Sequence, residues 1–178
     1  MSKLTIAVTK HDHIQGNPNA ACSLVEYGDY ECPSCGKAQP IIKRLQAQFG
    51  DQLSFVFRNF PLQEVHPWAE SAAELAEFAG TLDKFWDMHD LLFVNQESFS
   101  ESMFQNLLEE VELTDSGLQG AQASGALKRR ISADFSGGIR SGVNGTPTFF
   151  LNGDRYDGPV EYGSLAALVE QVLVSNGD

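Results

Sequence analysis

Leu24-Val25-Glu26-Tyr27-Gly28-Asp29-Tyr30-Glu31-Cys32-Pro33-Ser34-Cys35 is the stretch from which the rest of this 178-residue chain is read. Leu24 to Tyr27 favours a strand, and the run from Gly36 to Phe49 that follows the two cysteines is compatible with a helix. Thiols spaced as Cys32 and Cys35 close a small disulfide ring, open it and close it again. A bridge across so short a loop constrains the unfolded chain very little, so the pair reads as reversible redox chemistry rather than a staple. A Cys-x-x-Cys at a strand-to-helix junction is where a redox-active thiol belongs.

The position helps the chemistry. Cys32 is expected to cap the helix, with Pro33 at its first position, where the N–H that proline lacks would have no intrahelical partner. Free backbone N–H groups and the positive end of the helix dipole then face the Cys32 sulfur. They favour the thiolate and should bring its pKa below the free value of about 8.5. Cys35 lies one turn further on the same face, which suits a less exposed, resolving thiol. The expected cycle runs through a mixed disulfide on Cys32 that Cys35 or a substrate thiol resolves. No organic cofactor is required, because the sulfur atoms carry the electrons.

A zinc site is the alternative use of such a pair. Zinc usually takes four ligands, whereas this chain has one pair, Cys22 ten residues upstream, and 4 histidines without matching spacing. His11 and His13 flank Asp12 in a polar stretch that reads as a solvated loop. No metal is therefore assigned.

The net charge of −12, from 24 acidic and 12 basic residues, argues against nucleic acid or an anionic membrane surface as the main partner. The 42% apolar content fits an ordinary globule, and no apolar stretch approaches the roughly 18 residues of a membrane helix. Met1 to Lys10 has neither a continuous hydrophobic segment nor a small-residue cleavage site, so the chain as written is expected in the cytoplasm. Periplasmic or exported placement is the alternative if a leader has been removed.

Along the chain, residues 3–8 suggest a short strand and His11 to Ala20, with Gly16, Asn17 and Pro18, a loop. Residues 22–28 read as a strand. Pro40 should kink the helix after Cys32, Ile41, Ile42, Leu45 and Phe49 sit at helical spacing beyond it, and Gly50 ends it. Leu53 to Phe60 alternates as a strand does. Helices are expected over 66–80, 82–93, 100–112, 115–122 and 127–139. Strand signals return at Pro147 to Leu151, the Asn152-Gly153 pair marks a hairpin, Arg155-Tyr156 returns, and 162–174 closes the chain as an amphipathic helix. The order predicts an α/β fold with a mixed sheet covered by helices on both faces, interrupted by a helical block.

Three segments carry a resemblance: the opening stretch, then Phe57-Arg58-Asn59-Phe60-Pro61-Leu62, then Gly145-Thr146-Pro147-Thr148-Phe149. With them the chain resembles the DsbA-like thiol-disulfide oxidoreductases, which have a thioredoxin fold with a helical insertion. The resemblance implies a discontinuous thioredoxin-like domain over 21–63 and 138–178, a helical insertion over 64–137, and an N-terminal strand and loop over 1–20. It implies a cis Thr146–Pro147 bond beside the active-site pair, with Thr146 and Pro147 docking a substrate peptide by short β-type pairing. The residues alone also allow an ordinary trans proline at the start of a strand. Glu26 falls where the family often has a buried acid that exchanges a proton with Cys35; read alone, it could equally face solvent. Pro33 and Ser34 occupy the pair that tunes thiol pKa and potential in the family, with Ser34 where strong oxidants often have histidine. The implied partners are cysteine-containing proteins or peptides, plus a redox partner that resets the pair.

Other residues read as structural: Cys22 as a small buried apolar group, Trp68 and Trp86 as packing, His66 as the start of a helix, Arg58 as the partner of an acid near a strand end. From a different class, a thioredoxin-fold binding module or holdase with incidental cysteines is the competing reading.

Overall fold

The computed structural model describes residues 2–175. In chain order its elements are β1 (His13–Gln15), β2 (Cys22–Gly28), α1 (Pro33–Phe49), β3 (Leu53–Asn59), α2 (Ala69–Gly80), α3 (Phe85–Val94), α4 (Glu101–Glu110), α5 (Asp115–Ala123), α6 (Ala126–Arg140), β4 (Thr148–Leu151), β5 (Asp154–Tyr156) and α7 (Tyr162–Ser175). The strands form one mixed sheet in the order β1-β3-β2-β4-β5. β2 and β3 run parallel, and the other pairs are antiparallel. This is a thioredoxin-like α/β fold with a helical insertion between β3 and β4.

β3 is buried at every position, and β2 at all but Ser23. A central strand covered on both faces needs no polar side, which is why the alternation seen at 53–60 does not translate into alternating exposure. On one face Leu24, Phe55, Phe57, Phe149 and Leu151 join α1, α7 and the insertion in the main core. On the other, Val25, Tyr27, Val56, Phe60 and Phe150 form a second cluster that Phe135 of α6 covers. Glu26 is opposite Phe57 and Phe149 in the sheet register, so its side chain enters the main core beneath α1.

α6 lies close on the second face. A Cβ at Gly138 would stand 2.8 Å from the Phe60 ring and 3.0 Å from the Tyr27 ring, and Phe135 stacks on Phe60 at 4.3 Å. The division drawn between residues 137 and 138 therefore passes through a helix that covers the sheet.

The expected N-terminal strand over 3–8 is corrected. Among those residues only Lys3 forms a bridge, with Asp154. The Ile6 and Ala7 carbonyls, which a strand would offer a neighbour, accept from the Arg58 guanidinium at 2.8 and 3.1 Å. The edge strand lies instead in the stretch read as a loop: β1 pairs antiparallel with β3, Ile14 packs on the second cluster, and His13 stacks on Phe85 at 3.5 Å. α1 continues unbroken across the exposed Pro40. α2 starts at Ala69 rather than near residue 66, because carboxylates from the segment before α1 hold His66 and Trp68. Ser100 and Thr114 cap α4 and α5 by accepting from Met103 N and Gly117 N, contacts worth about 1 kcal/mol each.

Candidate active site

β2 ends at Gly28, and four residues later the chain enters α1 with Cys32 as its N-cap (φ −71°, ψ 119°) and Pro33 in the first turn. The Cys32 N–H donates to the Asp29 carbonyl at 3.1 Å, and its own carbonyl accepts from Gly36 N at 3.1 Å. The Cys32 thiol donates to the Thr146 carbonyl at 3.4 Å. That carbonyl precedes Pro147, and the Thr146–Pro147 bond is cis. Thr148 Oγ1 closes the turn by donating to the Gly145 carbonyl at 2.7 Å. The structure thus brings Cys32, Cys35, Thr146 and Pro147 together and leaves Pro33 and Ser34 exposed beside Cys32.

All three cysteines are free thiols. Cys32 keeps 6% exposure, whereas Cys35 is fully buried. Donation from the Cys35 thiol is the main reason the Cys32 pKa falls to about 5; burial opposes this, and the Thr146 side chain and the N–H groups of Cys35 and Ser34 add to the fall. The Thr146 hydroxyl is buried without another partner among the described residues, so it is free to serve the sulfur. Cys35 moves the other way, well above an ordinary thiol, chiefly through burial and then through its donation to Cys32 and the nearby Glu26 charge. One sulfur is thereby prepared to attack and the other to hold its proton.

Glu26 is completely buried, and neither carboxyl oxygen has a hydrogen-bond partner in the conventional range. Burial pushes its pKa up to about 8, the Cys32 charge adds to the rise, and the Cys35 thiol offsets part of it. It is therefore a protonated acid at neutral pH, in a fully buried site, within electrostatic reach of both cysteines.

The motif does not announce what holds the loop before Cys32. Asp29 is buried and accepts from Glu31 N at 2.8 Å, Leu62 N at 2.9 Å and His66 Nδ1 at 2.8 Å. Glu31 accepts from Trp68 N at 2.6 Å. His66, read as a helix start, is thus a tether between the insertion and the active-site loop. Its only sequence signal is an acid three residues before the nucleophile. Arg58 meets its expected acid, Asp12, through Nε at 2.8 Å. Cys22 is buried at the far end of β2, where its thiol faces the Val169 carbonyl. His13 pairs with Glu77 at 3.0 Å. Trp68 meets Phe104 edge-on, and Trp86 packs against His89. Among the described residues no group of three or more His, Cys, Asp and Glu is placed to hold a metal ion. No helix among them is long and apolar enough to cross a membrane.

The family model described as thioredoxin matches residues 8–171. Among curated proteins, the chain is 40% identical over 158 residues to the Na(+)/H(+) antiporter NhaA 1 of Salinispora arenicola, a match covering 89% of this chain and 24% of that protein. It is 36% identical over 165 residues to NhaA 1 of Mycolicibacterium gilvum, covering 90% and 26%. The chain spans about a quarter of the length of these relatives. Among solved structures, BdbD from Bacillus subtilis in its oxidised form superposes with a TM-score of 0.82 at 22% identity, covering 97% of this chain and 96% of that one. A thioredoxin-like oxidoreductase from Silicibacter pomeroyi gives 0.80 at 24% identity, covering 93% and 94%. Wolbachia pipientis alpha-DsbA1 gives 0.84 at 17% identity, covering 98% and 97%. At these identities the structural likeness establishes a shared DsbA-type fold.

Proposed function

The chain belongs to the thioredoxin family, and from that premise we propose that it is a thiol-disulfide oxidoreductase acting on cysteine-containing proteins or peptides through Cys32 and Cys35. The observation that carries this reading is the pairing of a low-pKa thiol at a helix N-terminus with a buried high-pKa thiol one turn below it, beside the Thr146–Pro147 turn. Acid-base asymmetry of this kind is what thiol-disulfide exchange needs.

In the oxidising direction, a substrate thiolate attacks Cys32 Sγ of the Cys32–Cys35 disulfide. The Cys35 sulfur leaves as a thiolate and takes a proton, and Glu26 is the acid placed to supply it. A second substrate thiolate then attacks the substrate sulfur of the mixed disulfide. Cys32 leaves as a stabilised thiolate, the substrate is oxidised by two electrons, and the Cys pair holds them. A separate redox partner removes them. In the reducing direction each step reverses: the Cys32 thiolate attacks a substrate disulfide, and Cys35, losing its proton to Glu26, resolves the intermediate. The Thr146 backbone presents the substrate chain to Cys32 by β-type pairing. Pro33 and Ser34 tune how stable the thiolate is. Ion antiport, named for the longer relatives, is not part of the proposal.

The test is exchange with glutathione and with a disulfide-bearing peptide. Cys35→Ser should trap a mixed disulfide, and Cys32→Ser should remove turnover. Turnover unchanged in Cys32→Ser would overturn the reading and favour a binding module. The equilibrium potential decides direction: about −270 mV points to a reductant and about −120 mV to an oxidant.

A further inference from the structure

Gln96, at the start of the 3-10 turn Gln96–Ser98 that follows α3, reaches from the insertion to the nucleophile. Its Nε2 donates to the Tyr30 carbonyl at 2.9 Å and to the Cys32 carbonyl at 3.1 Å. Both hydrogens of one amide nitrogen are thus used on the loop before α1. The Cys32 carbonyl is the one that Gly36 N must also find to open the helix.

The first turn of α1 keeps room for this contact. A Cβ on Gly36 would stand 2.0 Å from Gln96 Oε1 and 2.8 Å from its amide carbon. Gly36 does not have a positive φ, so backbone freedom does not explain a glycine there, and helix propensity disfavours one. The space above its Cα is occupied by the Gln96 amide.

Gln96 is itself well anchored. The side chain of the preceding Asn95 donates to Leu91 O at 2.8 Å, and Ser98 N returns to Asn95 O at 2.9 Å. α3 grips the same loop again through Tyr30, whose ring packs on Phe93 at 4.9 Å and whose hydroxyl meets the buried His89 Nδ1 at 2.9 Å. Burial holds His89 neutral, so the Tyr30 hydroxyl donates to Nδ1, and Nε2–H donates to Gln39 Oε1 on α1 at 3.2 Å. The insertion therefore holds the Tyr30 side chain, the Tyr30 carbonyl and the Cys32 carbonyl from one helix end.

We propose that Gln96 is a positioning residue for Cys32: by holding the Tyr30 and Cys32 carbonyls it fixes the N-cap so that the sulfur stays against the Ser34 and Cys35 N–H groups, and it thereby couples the helical insertion to the nucleophile. The proposal deepens the oxidoreductase reading and rests on it. Freed from Gln96, the 32–33 peptide can turn, the first turn of α1 frays, and the thiolate loses donors that only a fixed cap can aim.

The variants are Gln96→Met, which keeps length and removes the donor, and Gly36→Ala, which fills the space of the amide. Three readouts apply: thiolate ultraviolet absorbance against pH, equilibrium with glutathione, and thermal unfolding. In Gln96→Met the Cys32 pKa should rise by about one pH unit, a tenfold loss of thiolate stabilisation. The potential should fall by about 30 mV, the two-electron equivalent of that tenfold change. Gly36→Ala should reproduce both shifts, and should add nothing further in a Gln96→Ala background, where the clash is gone. Gly36→Ala also serves if Gln96→Met does not fold. An unchanged titration and potential in the folded variants, with at most a lower melting temperature, would overturn the proposal. The titration needs no substrate. Wild-type protein that shows the Gln96-dependent titration yet exchanges no disulfide would remove the oxidoreductase reading and leave the positioning role standing.

Discussion

The Cys32 thiol donates to the Thr146 carbonyl at 3.4 Å across 114 residues of chain. The contact joins the start of α1 to the turn before β4, two places that approach each other because β2 and β4 are sheet neighbours. It also sets a competition: the carbonyl that would receive a substrate backbone N–H is engaged by the thiol of the reduced protein. Ionisation of Cys32 removes that donor, so under the proposed function the attacking thiolate and the docking acceptor become available together.

Thr146→Val tests the other half of that residue. The hydroxyl is buried with no hydrogen-bond partner among the described residues, and it favours the thiolate less than the Cys35 thiol does. Valine should raise the Cys32 pKa by less than Cys35→Ala, which removes that donor, does, both read by thiolate absorbance. Stability should change by less than about 1 kcal/mol, because an unsatisfied buried hydroxyl replaced by an apolar group of the same shape is close to neutral. A rise larger than that in Cys35→Ala would reverse the assigned ranking.

The Cys32 shift makes the stability of the reduced protein depend on pH with a known sign. Its folded pKa, about 5, lies below the ordinary 9.0. Between those values the unfolded chain binds a proton that the folded one does not, so this group's contribution is complete above pH 9 and lost as pH falls through 5. The disulfide form has no such group. The melting temperature of the reduced protein relative to the oxidised one should therefore fall from pH 8 towards pH 4.5. A constant difference would mean Cys32 is not a thiolate in the folded state.

Glu26 tilts stability the opposite way. Its folded pKa of about 8 exceeds the ordinary 4.5. The folded state keeps a proton that the unfolded one has lost, so stability falls as pH rises between those values. Glu26→Gln should remove that slope and stabilise the protein by a few kcal/mol at pH 8, with little change at pH 4. It should also slow resolution of the mixed disulfide by about a hundredfold, the usual worth of a placed proton acceptor. Chemical denaturation at the two pH values and rapid-quench resolution kinetics measure the two effects. A variant that is stabilised but resolves at the wild-type rate would leave Glu26 without a role in proton transfer.

What was legible in the sequence was local. Cys32, Pro33 and Cys35 state their geometry through spacing and proline chemistry, and Asn152-Gly153 does the same for the β4–β5 turn. The Thr146–Pro147 turn and the buried Glu26 became legible only through a family resemblance, because no local pattern distinguishes a buried glutamate within a strand from an exposed one. The polar tethers were not legible at all. His66 meets Asp29 across 37 residues, Gln96 meets Cys32 across 64, and His13 meets Glu77 across 64. Hydrophobic periodicity identifies the face an element buries, whereas a hydrogen bond between distant side chains leaves no periodic trace. β1 was missed for a related reason: three residues with a single apolar Ile14 carry no alternation to detect.

Arg58 is a buried cation with every donor used. Nε and Nη2 hold Asp12 at 2.8 and 3.2 Å, Nη1 holds Ile6 O and the Tyr27 hydroxyl at 2.8 and 3.0 Å, and Nη2 holds Ala7 O at 3.1 Å. Side-chain exposure is 3% for Arg58 and 8% for Asp12. Arg58→Met should cost about 3–5 kcal/mol, because it leaves a buried carboxylate without its partner. Asp12→Asn in the same chain should recover part of that loss, giving a coupling energy in a double-mutant cycle. Tyr27 and Glu26 point to opposite faces of β2, so the Cys32 titration should not move in either variant. A cost below about 1 kcal/mol would place the pair with surface ion pairs, and a shifted Cys32 titration would show that the second face of the sheet reaches the active site.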